Sequence, residues 1–350
     1  MSYNRIGQPR IYTDTISNNL LTEWRQPSDI VILQDDGSTS VSFDSGTKAD
    51  LFDLKPANYV QIAKENQQFY IQFDTGHTIT SGSESNFLAI LNHNFASADC
   101  VFKIEIDSSS SMSSPTVISA SANHTSIING AQDSSANWID STSNGWTLIT
   151  WDTIDSDNRY IRITFADDSS TTANFNADLI IGSIMFGEYF DIPHSPDLSL
   201  STTIDYDGVK TKKSLGGNTY STSTNLGQPV WKKTNPFTLS SSNYDNEEWT
   251  FAKRNGRKSH SMNFSYLTDT DVYASNDSGF SFTEFYDTLN FHNSFYNKII
   301  GQHLPFLFCI NGASTTTGDY GMYRLKDKKF TANQSANNIW DVKLNIEESW

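Results

Sequence analysis

The sequence predicts a mainly β, antiparallel protein in two parts, and three observations carry that reading. Aromatic residues make up 13% of the 350 residues although all hydrophobic residues reach only 37%. Aromatic side chains bury large areas, so the chain can still fill a core, and its wealth of Thr, Ser and aromatics favours strands over helices. Second, short apolar or alternating runs recur between residues 59 and 186, separated by polar turns and without helical periods, the pattern of an antiparallel β-sandwich. Third, Pro193 and Pro196 bar both helix and ladder and mark a semi-rigid connector. The expected division is a lead-in segment over residues 1–50, a sandwich over 51–190, a linker over 191–208 and a second β-rich unit over 209–350. A chain of this length can fill two cores.

In the lead-in, residues 8–12 read as extended, 18–26 as a short helical turn and 30–33 as a strand, with Asp35, Asp36 and Gly37 as a turn signal. Strands are expected at 59–63, 69–73, 87–91, 100–106, 146–151, 159–165 and 179–186, with short edge strands near 116–118 and 127–128. The run Phe87-Leu-Ala-Ile-Leu91 is apolar throughout, as a fully buried strand would be. After the linker, Asp207-Gly208 predicts a hairpin joining 198–206 to 209–213. The stretch 216–243 is polar and loop-rich, with Trp231 and Phe237 as its expected anchors. In 259–266, His260, Met262, Phe264 and Tyr266 fall on one face of a strand. Phe282, Phe285, Tyr286 and Leu289 form one helical stripe within a helix expected over 281–300 and ended by Gly301. Residues 304–310 are a compact apolar run, and Trp340, Val342, Leu344 and Ile346 alternate with polar residues in a closing strand.

Charge and cysteine usage exclude several function classes. The net charge is −16, and residues 1–190 hold nine basic against 23 acidic residues, a net of −14. Nucleic-acid binding needs a basic footprint, so no nucleic-acid partner is expected. Cys100 and Cys309 each sit in an apolar run and read as buried free thiols. Residues 1–6 lack the apolar core of a secretory leader, and no apolar run approaches the roughly eighteen residues of a membrane span, so neither secretion nor membrane insertion is expected.

No residue pattern predicts catalysis. Gly216-Gly217 lacks the Lys-Ser/Thr and βαβ context of a phosphate loop, and no G-x-S-x-G elbow occurs. The seven histidines are scattered without metal-ligand spacing. Asp152, Asp155 and Asp157 cluster as calcium ligands do, but the twelve-residue loop pattern is missing and no cofactor is expected. Carboxylates are plentiful and none pair as a glycosidase acid and base would. A carbohydrate site would draw on Trp146 and Trp151, whose rings could stack on a sugar, with His93 and Asn94 after a buried strand.

Residues 51–189 resemble the galactose-binding-like, or discoidin-type, jelly-roll family. The likeness is carried by Phe69-Tyr-Ile-Gln-Phe73, by Phe87-Leu-Ala-Ile-Leu-Asn-His-Asn94, and above all by Arg159-Tyr-Ile-Arg-Ile-Thr-Phe165. It implies a jelly-roll sandwich, whose members bind sugars in some cases and proteins in others. Residues 210–350 resemble tail-tip proteins of long-tailed bacteriophages, the distal tail and lambda-type minor tail protein group. A strand at 261–266, a helix, Gly301, the run Pro305-Phe-Leu-Phe308, an exposed hairpin and a closing strand share that plan, from which the polar insertion 216–248 departs. This resemblance implies a tail-tube-like β-sandwich or barrel with one helix that closes into a ring, hexameric by analogy, between the tail tube and the baseplate hub proteins. The expected protein is a non-enzymatic structural component of the virion tail, made in the host cytoplasm, with an outward-projecting sandwich. Its subunit contacts would fall on Lys253, Arg254, Arg257, Lys258, Asp341, Lys343 and Glu347. The alternative is a carbohydrate-binding module that adsorbs to host glycans, and a polysaccharide depolymerase is the weakest candidate.

Overall fold

The computed structural model describes residues 6–23, 25–79, 86–133, 137–152, 158–168, 172–205, 209–223, 256–273 and 290–349. In chain order, β1 (Arg10–Asp14), helix α1 (Thr15–Leu21), β2 (Ile30–Gln34) and β3 (Phe43–Ser45) come first. They are followed by β4 (Val60–Ile62), β5 (Phe69–Ile79), β6 (Asn86–His93), the single turn α2 (Phe95–Ala98) and β7 (Cys100–Asp107). The polar middle carries β8 (Thr116–Val117), β9 (Ser126–Ile128), β10 (Ala131–Gln132) and β11 (Ile139–Asp140). Next are β12 (Gly145–Trp151), β13 (Asn158–Asp167), β14 (Leu179–Ile181) and β15 (Ser183–Asp191). The C-terminal part holds β16 (Ser201–Asp205), β17 (Val209–Lys213), β18 (Thr219–Ser223), β19 (Arg257–Leu267), α3 (Asp269–Val272), β20 (Phe306–Cys309), β21 (Tyr320–Leu325), β22 (Ala332–Ala336) and β23 (Ile339–Glu348). A π-helical turn, Phe291–Asn297, precedes β20.

The long strands of the sandwich swap sheets as the chain advances. Strands β5, β7 and β13 lie in a seven-stranded sheet ordered β10-β11-β7-β13-β5-β2, with β8 also paired to β7, while β6, β12 and β15 lie in a larger one. Every pairing among the described residues is antiparallel, and the alternation is that of a jelly-roll sandwich. Between the sheets, Phe69, Ile71 and Phe73 of β5 and Ile161, Ile163 and Phe165 of β13 meet Leu88, Ile90, Ile149, Trp151, Ile184 and Phe186 in one core.

The larger sheet does not stop at the expected domain boundary. Its order is β16-β19-β23-β21-β20-β1-β15-β6-β12-β9, so the C-terminal strands continue the sandwich's own sheet. The strand that joins them is β1, from the lead-in: Ile11 lies opposite Phe190 of β15 on one side and Phe308 of β20 on the other. Strand β1 is thus a central stitch, and the expected linker itself carries β16, a partner in the same sheet.

The sheet is also curled. Strands β12 and β21 are five strand spacings apart, about 24 Å if the sheet were flat. Yet the rings of Trp146 on β12 and Tyr320 on β21 have centroids 5.5 Å apart. The concave face encloses a second core, in which Phe87, Ala89, Leu91, Trp146, Leu148 and Met185 pack with Phe264, Phe291, Phe295, Phe306 and Leu344.

Three polar details fix the junction. Gly187 of β15 passes so close to β1 that a Cβ there would lie 2.0 Å from the Thr13 carbonyl oxygen. Asp14 caps α1, accepting from Ser17 N at 2.7 Å and from Phe186 N at 2.8 Å, while burial pushes its carboxyl up to about 6. The ammonium of Lys298 donates to Glu188 Oε2 in an ion pair whose side chains are 8% and 6% exposed. Both cysteines are free and buried, and burial pushes the Cys309 thiol up to about 12.

Local departures have local causes. Tyr266 leaves the buried face of β19 because a bulge between Phe264 and Leu267 puts it at φ +64°, 77% exposed. The hairpin expected through Asp207-Gly208 does not form between β16 and β17. Strand β16 pairs with β19, β17 pairs with β18, and the turn between those two uses Gly216-Gly217, with Gly217 at φ +87°. Residues 281–289 of the helix expected over 281–300, with Phe282, Phe285, Tyr286 and Leu289, lie outside the described residues, as do Trp231 and Phe237, and the rest of that stretch carries the π-helical turn Phe291–Asn297.

Candidate functional site

The four residues expected to bind a sugar are all structural. Trp151 is 0% exposed, stacked at 6.1 Å from Phe186 inside the sandwich. Trp146 is 5% exposed on the face of β12 that the C-terminal strands cover. His93 is 3% exposed and lies 4.2 Å from the Phe95 ring, with Nε2 3.0 Å from Thr147 Oγ1. Burial pushes its imidazole down to about 3, so it is neutral near pH 7. Asn94 spends both ends of its amide on backbone, donating to Asp178 O and accepting from Ile180 N, each at 2.8 Å. The physical reason is the second core: a Trp that would cap an isolated sandwich is here an interior residue.

Of the three clustered acids only the first lies among the described residues. Asp152 is exposed and accepts from the Tyr189 hydroxyl at 2.7 Å, while Asp155 and Asp157 lie outside the described residues. Among the described residues no three metal-ligating side chains converge. Of the expected subunit contacts, Lys253 and Arg254 lie outside the described residues, and Lys343 is exposed. Glu347 stands 3.8 Å from Arg257 and 3.3 Å from Lys326 of its own chain, and Lys258 N donates to Glu348 Oε2 at 3.1 Å. Asp341 is half-buried opposite Asn333.

The outer face of the seven-stranded sheet is the face of its long strands that neither core covers. Alternation places Asp74 of β5, Tyr160 and Arg162 of β13 and Lys103 of β7 on it half-buried, among Tyr70, Gln72, Thr164, Glu105 and Asp107, which are themselves buried. Arg162 stands opposite Gln72 on one side and Glu105 on the other. Its Nε and Nη2 donate to Gln72 Oε1 at 2.9 and 2.7 Å, and its guanidinium lies 4.3 Å over the Tyr70 ring. Gln72 is held in turn, donating through Nε2 to Ser110 O at 2.8 Å. The planar group is thus held flat on the sheet.

Neighbouring groups extend this surface. Arg159 forms a two-pronged pair with Asp74, both distances 2.7 Å, and Arg25 approaches the same carboxylate at 3.4 Å. Lys103 bonds Glu105 at 2.8 Å and sits 5.4 Å from the centroid of the half-buried Trp138 ring. Asp107 ties down the loop that follows β7, accepting from Ser114 N at 2.9 Å and Ser109 N at 3.0 Å, and these bonds hold its carboxyl below the usual range. The face thus carries fixed planar donors and acceptors beside ring surfaces.

Arg162 and Tyr160 were in view in the sequence as part of a fold motif, and Trp138 as a flank of polar loops. The signal that could have singled them out is the alternation of 159–165, which marks one face of β13 as open.

Neither a family model nor a curated protein matches the sequence. Among solved structures, chitosan-binding module 1 of a chitosanase/glucanase from Paenibacillus sp. IK-5 aligns with a TM-score of 0.29 at 10% identity, over 45% of this chain and 92% of that one. CBM32-1 from a family 31 glycoside hydrolase of Clostridium perfringens aligns with a TM-score of 0.28 at 12% identity, over 46% and 94%. The lectin domain of lectinolysin, complexed with Lewis B antigen, gives 0.25 at 14%, over 43% and 92%. Likenesses this distant say nothing of what the present chain binds.

Proposed function

We propose that this chain is a non-enzymatic recognition protein whose jelly-roll sandwich, of the galactose-binding-like kind, binds glycans on the outer face of its seven-stranded sheet. The observation that carries the reading is the pre-set cluster of Arg162, Gln72 and Tyr70, the guanidinium held by two bonds to one amide oxygen over an aromatic ring. A flat, oriented donor beside a ring meets vicinal hydroxyls without losing side-chain freedom on binding. Trp138 and Tyr160, both half-buried, supply further ring surface for the apolar side of a sugar. The test is a glycan array with the full chain, followed by calorimetry on any hit. Arg162→Ala is expected to weaken binding about tenfold, near 1.4 kcal/mol, with thermal unfolding little changed. No binding to any glycan, or binding that survives both Arg162→Ala and Trp138→Ala, overturns the reading.

A second reading is favoured by the C-terminal strands: the chain as a structural subunit of a tailed phage, in a tail-tip ring between tail tube and baseplate. Its support is the edge of β16, whose five residues are all exposed at the end of the large sheet and which pairs on one side only among the described residues. An open edge is a template for a further strand. In this reading the sheet is a rigid lever that presents the glycan face outward from the particle. Mass spectrometry of purified particles tests it, and absence from them rejects it.

A further inference from the structure

Next to that open edge stands an element of a different kind. Strands β17 and β18 form a two-stranded sheet of their own, and over residues 209–222 every side chain except that of Ser214 is exposed. An isolated two-stranded hairpin is marginal in water, because it buries too little to offset the ordering of its backbone. Its composition is also out of keeping with the molecule. Lysines occupy three of the five positions of β17, Lys210, Lys212 and Lys213, in a chain of net charge −16. Lys212 lies opposite Tyr220, so Lys210, Lys212 and the 63% exposed Tyr220 share one face. The turn presents Leu215 wholly to solvent.

We propose that this hairpin is an exchange arm that crosses to a second copy of the same chain and lies against that copy's acidic sandwich. Residues 1–190 carry a net charge of −14, so each copy supplies a surface of opposite sign to the arm of the other. Leu215 and Tyr220 supply the apolar contact, and the three lysines set register and orientation. Three residues separate the arm from the edge strand β16 in sequence, so docking it keeps that edge near the neighbouring copy as well. A copy that gives one arm and receives one makes its contact twice, or passes it head to tail around a closed ring.

This inference rests on the assembly reading and not on the glycan one, and the experiment separates them. The full chain is followed by sedimentation velocity in about 0.05 M and about 1 M salt, between which the screening length falls from above 10 Å to about 3 Å. Assembly at low salt that is lost at high salt is expected. The triple variant K210E/K212E/K213E is expected to stay monomeric in both, with unchanged circular dichroism and thermal unfolding, and Leu215→Ser to weaken assembly about tenfold. A wild-type chain that is monomeric throughout overturns both the arm and the assembly reading. An oligomer indifferent to the triple variant overturns the arm alone. Loss of heparin binding in that variant with assembly intact overturns it too, assigning the lysines to a polyanion.

Discussion

Strands β12 and β13 are neighbours in sequence and opposite in character. All seven residues of β12 are buried, whereas β13 alternates, with Ile161, Ile163 and Phe165 in the core and Tyr160 and Arg162 half-exposed. The difference shows how many layers each sheet meets. The sheet of β12 has a core on both faces, one inside the sandwich and one under the C-terminal strands, and the sheet of β13 has a core on one. A strand covered on both sides carries no ligand, however aromatic it is, and one covered on a single side carries its chemistry on alternate residues.

The sharpest way to break this comparison is to truncate Trp146. If it is interior, Trp146→Ala costs about 3–5 kcal/mol in a denaturant melt. A ligand-binding surface tryptophan would instead lose affinity and leave stability nearly unchanged. A comparable effect is expected at the ion pair. Glu188→Ala leaves the Lys298 ammonium buried and costs about 3–5 kcal/mol, whereas Glu188→Met with Lys298→Met costs less than either single change. Next in size is Gly187→Ala, expected to lower stability by at least about 2 kcal/mol, since its methyl would meet the backbone of β1. An unchanged melting temperature there would deny the close crossing of β1 and β15.

The smallest expected effect is on pH dependence. Burial pushes His93 down to about 3 and His260 to about 4, from an ordinary 6.5, so the unfolded chain binds more protons than the folded one across that interval. Their contribution is present above about pH 6.5 and fades as pH falls. Asp14, raised to about 6, acts in reverse: its contribution is present below about pH 4 and is lost as pH rises through 6. Two histidines with wider intervals outweigh one aspartate, so melting temperature should fall between pH 7 and 4.5. A rise over that interval would mean that at least one imidazole is not buried.

Strand existence was legible because period-two alternation and short apolar runs report burial directly. The strands expected at 69–73, 100–106 and 159–165 and the closing strand all form, and Val342, Leu344 and Ile346 point inward as their spacing requires. Pairing was not legible. Nothing local in residues 8–12 says that they separate strands from opposite ends of the chain, and two prolines near residue 195 looked like a border although hydrogen bonding bypasses them through β1. The burial of the tryptophans was missed for the same reason. Trp146 and Trp151 lie in a seven-residue strand that is buried on both faces although Thr147 and Thr150 interrupt its apolar residues, so nothing local marked the double coverage. Tyr266 was misplaced by a bulge, which shifts side chains without leaving a mark in composition.

The position of β1 also sets an order of events at the ribosome. Tyr12 emerges almost three hundred residues before its partner Leu307 on β20. Until then, the β20-facing edge of β1 is unsatisfied, and the entropy of closing so long a loop is met only when β20 has been made. The strand is thus fastened on its β15 side long before its other side. A chain arrested before Phe306 would carry that edge bare, open to pairing with another nascent copy.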